Sequence, residues 1–413
     1  MFKILRNTNR VILLTAVILV VFYYRTCVRV LQAQETDHVN LLLHLTMLFF
    51  LFEGFMSLSR KKIGQSRFSR YVVAWMIIIV LGSFINWQGT SSFIGPVLWC
   101  VYFLVAFIHT KGEGDEMTLK ISSTVVCVIT LVTGYLSMDV AAILNQSIGA
   151  DEEYEKFLNI IGFTVTTLPA VMMLKIPPLK WFIYFVTAII AIVTERRMAL
   201  IVVGVIAVLS LFETRGIKRN WSRWIIIVSV IILLFFAYGF ITSYLADSLE
   251  TAFLRMSSDE ITSTGGSGRV NLWNDVINSL SNSNLIEILI GHGTLGVKAV
   301  TKHTAAHNEL LESLFDHGVV GLCVFLTVHV TLIKRTIKLF KIKSESRYSY
   351  FMSYFVFLLY GTFGNVLLYP EFCLPLVTYW GYMEASFIRE RPKSRLKQSK
   401  VCIDKPNIQL STN

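Results

Sequence analysis

Charge is what this sequence has least of. Only 16% of its 413 residues are Asp, Glu, Lys or Arg, against 54% apolar, and the mean hydropathy is +0.60. A soluble domain carries about a quarter charged residues. The shortage excludes a soluble enzyme, a disordered regulator and a nucleic-acid-binding domain, and it describes a chain that lies mostly in lipid. Cysteine excludes nearly as much. Cys27, Cys100, Cys127, Cys323, Cys373 and Cys402 are scattered without metal-ligand spacing, and the longest polar connection holds none. Neither a disulfide scaffold nor a zinc site follows. No internal repeat recurs at a fixed period.

What is there is a series of continuous apolar runs. They predict helices at 11–31, 39–58, 71–86, 92–109, 119–137, 157–174, 179–194, 197–212, 224–245, 310–333, 350–369 and 372–388. A transmembrane helix needs about 20 apolar residues, whereas barrel strands would be short and alternating. The fold class is therefore an all-α polytopic membrane protein of about twelve transmembrane helices. Glu195-Arg196-Arg197 is the charged break that divides the 179–212 region in two.

The net charge of +11 has a matching explanation. Its basic residues sit in short runs between apolar segments, as in a protein whose orientation is set by the bilayer. With a cytoplasmic N-terminus, the inside segments hold 29 of the 38 Lys and Arg residues and the outside segments nine. That bias puts both termini in the cytoplasm. The first run is long and is followed by eleven more, so it reads as a span, not a cleaved signal. The basic tail, 389–413, is expected to be disordered and to lie near anionic lipid.

The same orientation puts one long connection, 246–309, outside, between the ninth and tenth spans. Long loops are usually functional. Its Ser-, Thr- and Gly-rich stretch from Ser257 to Gly268 leads into Arg269-Val-Asn-Leu-Trp273. Val270, Trp273 and Ile277 share a helical face, which predicts an amphipathic helix on the membrane surface or over a cavity, with Ser267 as its cap. A glycine-broken turn, Gly291-His-Gly293, follows, and the loop ends in Lys302-His303-Thr-Ala-Ala-His307-Asn308-Glu309. Arg196 and Arg197 also fall outside, against the basic bias. Charge at membrane depth is expensive and marks a functional site by default. Guanidiniums there, with Arg269, form a fork suited to phosphate or pyrophosphate.

His307-Asn308, nine residues, and then Gly318-Val-Val-Gly321 resembles the His-Asn and Gly-x-x-Gly motif of the O-antigen ligase and O-antigen polymerase superfamily. The family's Arg-x-x-x-Trp is matched by Arg269 to Trp273, its upstream arginine by Arg196-Arg197, and its Gly-x-Gly by Gly291-His-Gly293. Glu195 stands where a Ser or Thr is usual, which leaves open whether Arg196 or Arg197 is the family arginine. The resemblance implies a membrane glycosyltransferase whose donor is a polyprenyl-pyrophosphate-linked glycan, working outside the cytoplasmic (inner) membrane of a bacterium without metal or cofactor. It implies that Arg269 and Arg196 or Arg197 bind the pyrophosphate, and that His307, beside Asn308, orients or deprotonates an acceptor hydroxyl. Two activities stay open: polymerisation of undecaprenyl-linked repeat units, with a chain-length regulator as a further partner, and ligation of finished polysaccharide to lipid A-core. A transporter of the same lipid is the reading from another class; it would need a polar path at the midplane.

Other residues have plainer readings. Gly318 and Gly321 are expected to allow close helix packing. His292, His303 and His307 lack a carboxylate to complete a metal site. Glu309 reads as a solvated helix start, and Glu53 as a paired charge or one near the inner interface beside Arg60. His44 and His329 lie inside apolar runs, and Tyr369-Pro370-Glu371 would border the outer cavity.

Overall fold

The structure, a computed structural model, describes residues 8–32, 52, 53, 56, 63–86, 90–144, 164–193, 197–213, 269–301, 305–364 and 370–403. Most of the 39–58 run, the 224–245 run, Glu195, Arg196, Ser257 to Gly268, Lys302, His303, His44 and Tyr369 lie outside the described residues.

The described residues are helical, with no strand among them. The helices are α1 (Arg10–Gln32), α2 (Arg67–Ile85), α3 (Thr90–His109), α4 (Glu113–Leu144), α5 (Pro177–Val193), α6 (Arg197–Glu213), α7 (Arg269–Ser281), α8 (Leu285–Ile290), α9 (Gly296–Val300), α10 (Glu309–Lys341), α11 (Arg347–Phe363) and α12 (Pro370–Ile403). Among them Arg67–Ile85, Glu113–Thr133 and Glu309–Lys341 are long and apolar enough to cross a membrane, and four more apolar helical stretches are shorter. Glu195-Arg196-Arg197 does mark a boundary: α5 ends at Val193 and α6 opens at Arg197.

Small and hydroxylic residues let the helices approach, as they do where lipid removes the hydrophobic drive between helices. A Cβ on Gly381 of α12 would stand 2.4 Å from the Phe103 carbonyl oxygen of α3. Trp380 Nε1 donates to Ser353 Oγ of α11 at 2.8 Å, and Thr164 Oγ1 donates to Thr130 Oγ1 of α4 at 2.8 Å. Two carboxylates of the bundle, Glu53 and Glu384, are paired. Glu53 stands 2.7 Å from His109 Nε2, so its partner is a histidine at the end of α3. Arg335 of α10 pairs with the buried Glu384 of α12, which also accepts from Ser66 Oγ, the N-cap of α2, at 2.7 Å. His329 is a core histidine, set among Phe325, Phe357 and Tyr354.

One expectation about the tail is corrected. The backbone beyond Arg389 stays helical to Ile403 as the end of α12. Glu, Lys, Arg, Leu and Gln, which are eight of the 14 residues 390–403, are good helix formers.

Candidate functional site

The site grows from a break in α10. Its first two turns, from Glu309, end at Gly318, which adopts φ 65° and ψ −169°. Only glycine enters that region readily. The break frees carbonyls that a continuous helix would satisfy internally, and the Gly291-His-Gly293 turn answers them. His292 N donates to the Phe315 oxygen at 3.0 Å and Gly293 N to the Asp316 oxygen at 2.8 Å. A Cβ on Gly318 would meet the Leu289 oxygen at 2.3 Å, and one on Gly291 would meet the Asp316 oxygen at 2.3 Å. The glycine motifs therefore serve a turn docked against a broken helix. Gly318 does allow close helix packing, as expected, since it accommodates the α8 backbone; Gly321 instead accommodates the His317 side chain of its own helix.

Asp316 completes the turn. Its carboxylate accepts from Leu295 N at 2.9 Å and Val297 N at 3.2 Å, closing the start of α9. Thr294 ties the turn to α2, donating to the Ile79 oxygen at 3.1 Å, while Asn86 Nδ2 donates to the Thr294 oxygen at 3.2 Å. His292 stacks on Phe315 and its ring contacts Ser283 Oγ at 3.0 Å, a structural placement. No metal-binding group of His, Cys, Asp and Glu occurs among the described residues.

His307 lies at the other end of the same two turns. Asn308 is the N-cap of α10; its side-chain oxygen accepts from Leu310 N and Leu311 N, both at 3.1 Å. That cap holds the chain extended at Asn308, with His307 just before it at φ 51°. A positive φ at a non-glycine residue is uncommon and needs support from its surroundings. Ala306 supplies it. Its N–H donates to Glu312 Oε2 at 3.2 Å, and its carbonyl accepts from Trp273 Nε1 at 2.9 Å. Both polar groups of the residue preceding His307 are thus clasped, one by α10 and one by α7.

The Trp273 bond decides the geometry. Arg269 opens α7, and its backbone stands one helical turn, about 6 Å along the axis, from Trp273. The helix that starts at Arg269 is therefore fastened to the peptide next to His307. Leu272, Val276, Val297, Ala306 and Phe315 form the small apolar cluster beneath the clasp, with Trp273, Leu280 and Leu311 against it. The amphipathic helix is present, but its apolar face is turned from the expected one: Leu272 and Val276 are buried while Ile277 is exposed.

The structure brings together Arg269's helix, His307 and Asn308. Of the earlier pair it places the backbone of Arg197 at the start of α6; Arg196 lies outside the described residues. Sequence reasoning missed Asp316, and it read Glu309, with Glu312 after it, as a solvated helix start. All three carboxyl side chains are buried. Their i, i+3 and i+7 spacing was the available signal, since it puts three acids on the face of α10 that also carries buried Ser313 and His317.

Apolar helices long enough to cross a membrane define the class among the described residues, a helical membrane protein. Residues 182–326 match the family model described as O-Antigen ligase. Over that segment the chain is similar to the O-antigen ligase family. The match spans Arg196, Arg197, Arg269, Trp273, the glycine turn, His307, Asn308 and Gly318. Among curated proteins, no significant match is found.

Proposed function

We propose that this protein is a polysaccharide polymerase that joins polyprenyl-pyrophosphate-linked repeat units at the outer face of the bacterial inner membrane. The bundle has twelve spans and both termini are cytoplasmic, which puts the 246–309 connection outside. Arg269 and Arg196 or Arg197 hold the donor pyrophosphate, and His307, beside Asn308, receives the acceptor hydroxyl. The acceptor oxygen forms a bond to the anomeric carbon. The bond from that carbon to the pyrophosphate breaks, and the electron pair leaves with the phosphate oxygen. The hydroxyl proton passes to the His307 imidazole, a group suited to proton transfer near neutrality. Guanidiniums aimed at the leaving oxygen stabilise charge as it develops, a contribution of several kcal/mol in comparable sites. No metal has a role in this scheme.

The observation that carries the proposal is the Trp273 to Ala306 hydrogen bond, which fastens the helix opened by Arg269 beside His307. A second reading, the activity that the matched family's description names, is a ligase that moves finished polysaccharide to lipid A-core or another acceptor. A transporter of the lipid-linked glycan is the reading from a different class. Purified protein in liposomes with a synthetic lipid-linked repeat unit separates the three. A ladder of products without added acceptor supports the polymerase. Product only on adding core lipid supports the ligase and defeats the polymerase, and translocation without product supports the transporter.

A further inference from the structure

We propose that α8 is a membrane-inserted element whose partner is the acyl-chain layer of the leaflet on the side where α2 ends. Leu285 and Ile286 are 71% and 67% exposed, and Leu289 and Ile290 are also exposed. Positions i, i+1, i+4 and i+5 of a helix lie on one side, so the four residues make a single apolar face. Asn284 and Glu287 sit at the polar start. The Asn284 side chain accepts from Ile286 N and Glu287 N, and Glu287 Oε2 accepts from Asn284 N, a closed capping box that lets so short a helix stand.

The depth follows from where the next residues dock. Thr294 donates to the carbonyl of Ile79, six residues before the end of α2, and its N–H donates to the Gly82 oxygen. At about 1.5 Å per residue, Ile79 lies about 9 Å below the helix end. The 19 residues of α2 rise about 28 Å, close to the roughly 30 Å hydrocarbon thickness of a bilayer. The turn after α8 is therefore below the interface. On its other side α2 exposes Ile77, Leu81, Phe84 and Ile85 over the same depth, an apolar band suited to lipid in a spanning helix.

The apolar face of α8 is continuous with the surface of the spans. Its Leu289 carbonyl abuts Gly318, and the next residues of α10, Val319 and Val320, are exposed. Irregular backbone at membrane depth is tolerated where protein satisfies it. Here the peptide groups of the turn are taken up by the freed carbonyls of Phe315 and Asp316, by the Asp316 carboxylate, and by Gly82. The loop between α7 and α10 thus re-enters the membrane, and Ala306 of the clasp packs in one cluster with Phe315, whose carbonyl the turn takes up. The inference holds whichever glycan chemistry the site performs.

Carbene footprinting of the unaltered protein tests it. The protein is placed in liposomes containing a phospholipid with a diazirine near the middle of one acyl chain, photolysed, digested and read residue by residue by mass spectrometry. Leu285, Ile286, Leu289 and Ile290 are expected to be labelled to within about threefold of Ile77, Leu81 and Phe84, with Asn271, Asn274 and Asn278 of α7 at background. Background labelling of 285–290 alongside strong labelling of α2 would overturn the proposal. So would preferential labelling of the same four residues by a water-soluble diazirine.

Discussion

Replacing Trp273 by Phe keeps a ring against the cluster of Leu272, Val276, Val297, Ala306 and Phe315 and removes one atom group that matters, the indole N–H. That N–H donates to the Ala306 carbonyl at 2.9 Å, and Ala306 is fully buried. A buried polar group deprived of its partner costs about 1–3 kcal/mol. If the strain is relieved by movement of the Ala306–His307 peptide, the imidazole leaves its position and the cost appears in the transition state. At 1.36 kcal/mol per tenfold, turnover falls by about 5- to 150-fold. The assay is the rate of polyprenyl pyrophosphate release in proteoliposomes, with folded protein quantified by thermal unfolding. Trp273→Phe protein that is folded and turns over at the wild-type rate would refute the claim that the clasp positions His307.

Glu312 clasps the same residue through its N–H, so Glu312→Gln, which keeps a carbonyl acceptor, should retain most of the release rate, while Glu312→Leu should lose about 5- to 150-fold by the same arithmetic. Gly318→Ala forces a side chain into a glycine-only conformation 2.3 Å from the Leu289 oxygen and should lower the unfolding temperature in detergent, with a penalty above about 1–3 kcal/mol. Arg335→Met and Glu384→Met should each destabilise by about 3–5 kcal/mol, because each leaves a buried charge alone, and the double variant should be the more stable protein in the same unfolding measurement.

Much of the bundle was legible in the sequence because lipid imposes a simple rule, a long apolar run for each crossing. Runs at 11–31, 71–86 and 92–109 became α1, α2 and α3 within a few residues. The division at Glu195-Arg196-Arg197 was legible for the same reason, since three charges in a row interrupt a span. The break at Gly318 was not. A glycine inside an apolar run reads as a packing position, and only the docking of another segment against it reveals that the helix must stop. The face of α7 was misread because apolar residues at 270, 272, 273, 276 and 277 offer two overlapping stripes, and the choice is made by Ala306 and Phe315, which are distant in sequence. The clasp itself joins positions 33 residues apart through a backbone carbonyl. No side-chain pattern encodes such a bond, although Trp273 and His307 were both visible as motif residues. The helical end of α12 was hidden by its charge, which reads as tail while its residues favour helix.

The central claim is that Arg269 and His307 act on one lipid-linked pyrophosphate sugar. The direct measurement is single-turnover transfer from a synthetic polyprenyl-pyrophosphate oligosaccharide by wild type, Arg269→Ala and His307→Ala, with donor binding measured in parallel. The account predicts a loss of at least about 100-fold in transfer for both variants, with donor binding weakened in Arg269→Ala and retained in His307→Ala. Wild-type transfer by either folded variant would contradict it.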